Sequence, residues 1–157
     1  MNVRYRTLLG HFRHESGHYY WFNLINQTPQ ISSFRNKFGD EGQDYTKALN
    51  HYYQNGPGPH WQQSFITAYA SSHPWEDWAE SWAHYLHIMD TLETAHSRQM
   101  QLGLVDFQKF SFHQKFNEII DQWIFLSQAL NGFSRSMGIS DFYPFVLTQP
   151  VIDKLTY

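Results

Sequence analysis

The sequence predicts an all-α protein, and three observations carry that expectation. Apolar residues recur at helical spacing in segment after segment, with no convincing pair of alternating runs to read as strands. Clusters of Gly and Pro ("QTPQ", "NGPGP", "SSHP") fall between those segments as breakers. After the last of these, "WEDWAESWAHYLHIMDTLETAHSRQMQ" continues without a further Gly or Pro.

Taken in order, a first helix is expected from Arg4 to Asn26, stopping before "QTPQ". A short helix at Ser32–Phe38 ends at Gly39, and residues 43–54, "QDYTKALNHYYQ", form a third, closed by "NGPGP". Residues 60–71 read as another short helix. A long one follows from Trp75 to Gln101, ending at Gly103. A fifth major segment runs from Asp106 to Leu130, capped by Asn131-Gly132. The tail is irregular, with a last turn at Val151–Leu155.

At 157 residues the chain suits one domain with one core, and with 41% hydrophobic and 18% aromatic residues that core should be bulky and aromatic. The net charge is −3 and no dense Lys/Arg run exists, so composition supports neither a nucleic-acid nor an acidic-membrane partner. Cysteine is absent, which excludes disulfides and thiolate metal sites and leaves His, Asp and Glu as the ligands for any metal. No apolar run approaches the roughly 18–20 residues of a membrane span. The first residues lack the apolar stretch of a signal peptide, so a soluble cytoplasmic protein is expected.

Near the start stands "TLLGHFRHESGHYYW", in which His14-Glu15-Ser16-Gly17-His18 matches H-E-x-x-H. Residues i and i+4 lie one turn apart on one helix face, so two imidazoles can reach one ion at about 2.0–2.1 Å. Glu15 points about 100° away, placed to serve a water molecule as general base. On its own the motif is equally well read as two histidines packed among aromatics. A catalytic zinc needs a third protein ligand, and Trp21 and Leu24 stand where the extended three-histidine motif would require Gly and His.

The long helix offers that ligand. At about 100° per residue, Glu76, Glu80, Ala83, His84 and His87 share a narrow sector, with Trp75, Trp78, Trp82, Tyr85, Leu86 and Met89 on the opposite side. An acidic stripe opposite large aromatics is ordinarily a solvated face. Here it is free of Lys and Arg, and Ala79 and Ala83 beside the carboxylates permit close packing by a second helix. The Glu76-x-x-x-Glu80 spacing suits a zinc site in which one carboxylate ligates while the other accepts an N–H from a ligating imidazole. The three tryptophans read as core.

Together "TLLGHFRHESGHYYW", "GDEGQDYTKAL", "TAYASSHPWEDWAESWAHYLHIMDTLETA" and "ALNGFSRSMGISDFYPFVLTQPVIDKL" make nearly the whole chain resemble a bacterial family of zinc-binding metallopeptidases of gluzincin-like type. The resemblance implies His14 and His18 as ligands of one zinc, Glu15 as the catalytic carboxylate and a downstream acidic residue as third ligand. Glu76 and Glu80 both open an E-x-W-A stretch like the signature of a gluzincin's third ligand. Glu76 is preferred, because an acidic partner four residues after the ligand is the common arrangement, with Glu80 as runner-up or second-layer carboxylate. His84 and His87 are more distant candidates for the ligand. Family members also carry a cysteine-rich zinc-ribbon module before this region, and zincins generally place a sheet there. The expectation is therefore a single metallopeptidase-like domain over 1–157, either a shortened member or a fragment lacking that module and sheet.

His11, one turn before His14, is expected beside the site rather than on the metal. Donors to a developing oxyanion could come from His84, His87, Arg135 or Tyr143, each also readable as an ordinary surface or packed residue. Two rival readings exist. One is a metal-binding helical module without catalysis. The other is a ferritin-like di-iron protein using Glu15/His18 and Glu93/His96 as E-x-x-H pairs with Glu118 between them. That rival leaves His14, Glu76 and Glu80 without roles and puts Glu93 and His96 on the tryptophan side of their helix. The expected activity is hydrolysis of a peptide bond in a peptide or protein substrate.

Overall fold

The computed structural model describes residues 7–103, 105–107 and 115–157 and is mostly helical, as expected. Among the described residues six α-helices follow in order: α1 (Leu8–Leu24), α2 (Ile31–Phe38), α3 (Tyr45–Asn55), α4 (Pro74–Ser97), α5 (Phe116–Ser136) and α6 (Gln149–Leu155). The chain divides into two compact units, Met1–Leu86 with Val146–Tyr157, and His87–Phe145, so that α4 begins in the first and ends in the second.

In the first unit the helix ends follow from local chemistry. The Thr7 hydroxyl accepts from the Gly10 N–H at 3.0 Å and starts α1. Residues 4–6 of the expected first helix lie outside the described residues. Gly39, at φ 100°, stops α2 where an L side chain would be strained. The Asp44 carboxylate caps α3 through the Lys47 N–H at 2.9 Å. Around these ends the core is aromatic, as composition foretold: Trp21, Ile25, Phe34, Phe38 and Trp78 are buried together, with Trp75, Trp82 and Tyr157 packed on them. Phe34 and Phe38 stack at 5.0 Å, while Trp21 meets Trp75 edge-on at 5.2 Å.

One expected helix is absent. Residues 60–71 form two 3₁₀ turns, Trp61–Gln63 and Tyr69–Ser72, instead of a continuous helix. The polar groups between them serve tertiary partners. The Gln63 carbonyl accepts from Thr148 Oγ1 at 3.0 Å and the Ser64 carbonyl from Lys154 Nζ at 2.7 Å. Thr67 Oγ1 accepts from the Ala70 N–H and donates to Glu80. The last turn of the chain is a full short helix, α6, whose Val151 and Leu155 are buried.

In the second unit the long helix stops at Ser97 rather than Gln101, because Gln99 adopts φ 52° and turns the chain left-handed. Residues beyond it form a two-stranded antiparallel pair, β1 (Gln101–Leu102) with β2 (Val105–Asp106), which the sequence reading lacks. The fifth helix begins at Phe116, not Asp106, and continues through Gly132 to Ser136. Residues 108–114 of the expected segment lie outside the described residues. Asn131 does not cap α5. Its side chain instead pairs with the Tyr143 backbone in both directions, at 2.9 and 2.8 Å.

A buried ion pair ties α6 to α4. Lys154 Nζ lies 2.6 Å from Asp77 Oδ2, with the two side chains 8% and 0% exposed, and sits 4.2 Å from the centre of the Phe65 ring. Burial pushes the Asp77 carboxyl up to about 7, against the pull of the Lys154 ammonium. Removing one partner of such a pair strands the other in a low-dielectric interior. Lys154→Met is expected to lower unfolding free energy by about 3–5 kcal/mol in urea titrations, and the double variant Asp77→Leu/Lys154→Met to recover most of that loss.

Candidate metal centre

The H-E-x-x-H turn lies on α1 and meets the first three turns of α4, and the contact is closer than two ordinary helices allow. Gly17 presents no side chain, and the facing Ala79 is fully buried. A Cβ added at Gly17 would fall 2.9 Å from Ala79 Cα and 3.2 Å from Trp82 Cβ. Two indoles fasten the same turn: Trp78 Nε1 donates to the Gly17 carbonyl at 2.8 Å, and Trp82 Nε1 donates to Ser16 Oγ at 3.1 Å. The tryptophans are thus core residues that also hold the motif in place.

This contact sets His14 and His18 against the acidic side of α4. His14 Nε2 is 3.2 Å from His18 Nε2 and 3.0 Å from Glu76 Oε2, while His18 Nε2 is 3.7 Å from Glu76 Oε1. Among the described residues these three form a group whose ligand atoms all lie within 4.8 Å of one another. Two ligands about 2.0–2.1 Å from one tetrahedral ion stand about 3.3–3.4 Å apart, so the observed separations suit one small cation. Glu76 is 1% exposed, and among the described residues its Oε2 has no hydrogen-bond partner despite the nearby imidazole. A buried carboxylate oxygen with unused lone pairs calls for a positive partner. The donor set of two imidazoles and one carboxylate therefore fits zinc.

The two acidic side chains are not equivalent. Glu80 turns away from the Nε2 cluster: its Oε1 takes His14 Nδ1 at 2.7 Å, and its Oε2 accepts from Thr67 Oγ1 at 2.7 Å. Glu76 Oε1 accepts from the Tyr45 hydroxyl at 2.6 Å. Burial works to lower the His14 pKa, but the hydrogen bond to Glu80 and the nearby charges of Glu80 and Glu76 outweigh it and push the imidazole up to about 9. Burial would raise the Glu76 carboxyl, yet His14, His18 and Tyr45 hold it far below the usual range. Burial also raises the Tyr45 phenol, with Glu76 adding to it, so Tyr45 stays a donor.

The stripe on α4 is buried, not solvated: Glu76, Ala83 and His84 are all inside. His84 lies close enough to Glu80 to help hold that carboxylate ionised. Glu15 is 56% exposed on α1, and His11, 69% exposed, has its Nε2 3.8 Å from Glu15 Oε1, so His11 accompanies the glutamate rather than the ligand nitrogens. In the second unit His87 is half-buried, Arg135 makes a two-point pair with Asp141 at 2.6 and 2.7 Å, and Tyr143 is buried edge-on to Trp123 at 4.8 Å. Glu93, His96 and Glu118 join no group of three potential ligands among the described residues, and His96 Nδ1 lies 3.1 Å from the Phe107 carbonyl. Tyr45, Thr67 and Tyr69 belong to no recognisable motif, although "GDEGQDYTKAL" and "TAYASSHPWEDW" contain them. A lone phenol or hydroxyl carries no spacing signal.

A family described as "Putative zinc-binding metallo-peptidase" matches the chain over residues 1–157. Uncharacterized proteins of Mycobacterium bovis and of two Mycobacterium tuberculosis strains are each 47% identical over 159 residues, covering 100% of this chain and 47% of their own length. The chain thus spans about half the length of the curated relatives it matches. No solved structure matches it. No helix among the described residues is long and apolar enough to cross a membrane.

The Gly17 contact yields a direct test. Gly17→Ala must push α1 from α4, and overpacking of this kind costs about 1–3 kcal/mol. A lowered melting temperature together with weakened zinc binding is expected; an unchanged melt and affinity would show the contact to be slack.

Proposed function

The chain belongs to this family of zinc-binding metallopeptidases, and from that premise we propose that it hydrolyses peptide bonds with one zinc held by His14, His18 and Glu76. The observation that carries the reading is the convergence of two imidazole Nε2 atoms from α1 and a buried carboxylate from α4 within 4.8 Å. Bound zinc supplies Lewis acidity, which makes a water acidic near neutral pH and polarises a carbonyl.

The chain's own side chains do the rest. His14 Nδ1 donating to Glu80 directs Nε2 at the metal position, where a bound zinc would take the place of the Nε2 proton, and Thr67 steadies Glu80 in turn. Glu80 is thus the brace of a ligand, and Glu76 the ligand. Glu15 stands one residue past His14 on the exposed side of α1, where its carboxylate is open to water. It takes the proton of the attacking water and passes it to the leaving amine. His14, His18 and Glu76 would hold zinc through three protein ligands, the count that leaves a position for water and substrate. The substrate is a peptide or protein.

Metal analysis of the purified protein is expected to find one zinc per chain, lost in His18→Ala and in Glu76→Ala. Two irons per chain would favour the di-iron alternative, and no metal would remove both readings. Glu15→Gln is expected to keep its zinc while peptide hydrolysis falls by about 10²–10⁴-fold. A wild type that binds zinc but cleaves no peptide library would mark the domain as a non-catalytic metal-binding module.

A further inference from the structure

Tyr45 is the first residue of α3, aimed by the Asp44 cap immediately before it. Its ring is edge-on to His73 at 5.1 Å and tilted against Trp75 at 5.8 Å, which fixes the phenol's direction. The hydroxyl donates to Glu76 Oε1 at 2.6 Å. The two oxygens of Glu76 therefore differ in what they have left to offer. Oε1 already accepts a strong hydrogen bond. Oε2 is buried, accepts none from the described residues, and faces His14 Nε2 at 3.0 Å.

The terminal torsion of a glutamate is soft, so an unrestrained carboxylate can turn to offer one oxygen or both. We propose that Tyr45 is a positioning residue of the metal centre: by holding Oε1, it commits Glu76 to present the single oxygen Oε2 to the cation. The inference rests on the reading of His14, His18 and Glu76 as zinc ligands. One carboxylate oxygen with two imidazole nitrogens makes three protein donors, the count that leaves a position open for water and substrate. A carboxylate ligating through both oxygens would crowd that position. The arrangement also gives the two kinds of ligand separate supports. Glu80 on α4 orients His14, and Tyr45 on α3 orients Glu76. Behind Tyr45 stands Tyr69, which interacts with it and packs its ring 6.1 Å from that of His14.

Zinc affinity measured by competition with a chromophoric chelator, together with the visible absorption of the cobalt(II)-substituted protein, tests the proposal on wild type, Tyr45→Phe and Tyr69→Phe. Both variants keep the ring, and circular dichroism and thermal melts check that the fold is retained. Tyr45→Phe is expected to weaken zinc binding about 10–100-fold and to alter the cobalt spectrum, as loss of a partner behind a metal ligand does. Tyr69→Phe, which leaves the Tyr45–Glu76 bond intact, is expected to behave as wild type. Unchanged affinity and spectrum in Tyr45→Phe would overturn the proposal, as would equal losses in both variants. A wild type that binds no metal would overturn the ligand reading itself, and this inference with it.

Discussion

The close approach of α1 to α4 at Gly17 and Ala79 is the constraint on which the site depends. A hydrogen in place of a methyl group lets one helix settle against the backbone of the other, and two indole N–H groups hold it there. Every distance in the ligand cluster inherits that contact. With α1 held at that distance, His14 and His18 meet Glu76 across the two helices. The motif's Gly17 is therefore as necessary to the geometry as its histidines, although it has no chemistry of its own.

That contact has an electrostatic cost, because it takes the acidic side of α4 out of water. Glu76 and Asp77 are adjacent and both almost fully buried. Each is compensated differently. Asp77 is matched by Lys154 of α6. Glu76 has two imidazoles and a phenol, groups that leave one of its oxygens without a hydrogen bond. The first carboxylate is paired with a lysine from another part of the fold, and the second with two imidazoles that are also the candidate metal ligands. Two imidazoles converging on one buried carboxylate can give up their protons to a metal ion, which a lone lysine on a carboxylate cannot match, and this is the physical ground for reading Glu76 as functional and Asp77 as structural.

Several features were legible in the chain before any coordinates. The helical class, the breakers at Gly39 and Gly56, the aromatic core and the pairing of His14 and His18 on one face all follow from local propensity and period. So did the pairing of the two motif histidines with an acidic residue of the long helix, because a carboxylate pair at i, i+4 beside small residues is a pattern local enough to see. Errors gathered where tertiary partners override local preference. The 60–71 segment gave its polar groups to Thr148, Lys154 and Glu80 instead of a helix, and α5 ran through an Asn-Gly pair because Asn131 found Tyr143.

By itself, then, the sequence determined which elements form and which residue types could hold a metal, since both are properties of short stretches of chain. It left open which of Glu76 and Glu80 faces the imidazoles. Both lie on one helix face, one turn apart, and no periodicity separates them. Only the tertiary structure distinguishes them, by placing Glu76 opposite the two Nε2 atoms and Glu80 behind His14 at Nδ1. The same holds for Tyr45, Thr67 and Lys154, whose positions beside the buried carboxylates come from contacts 31, 13 and 77 residues apart in the chain. Such partners are selected by the cost of an unpaired buried charge, and that cost exists only once the helices have packed.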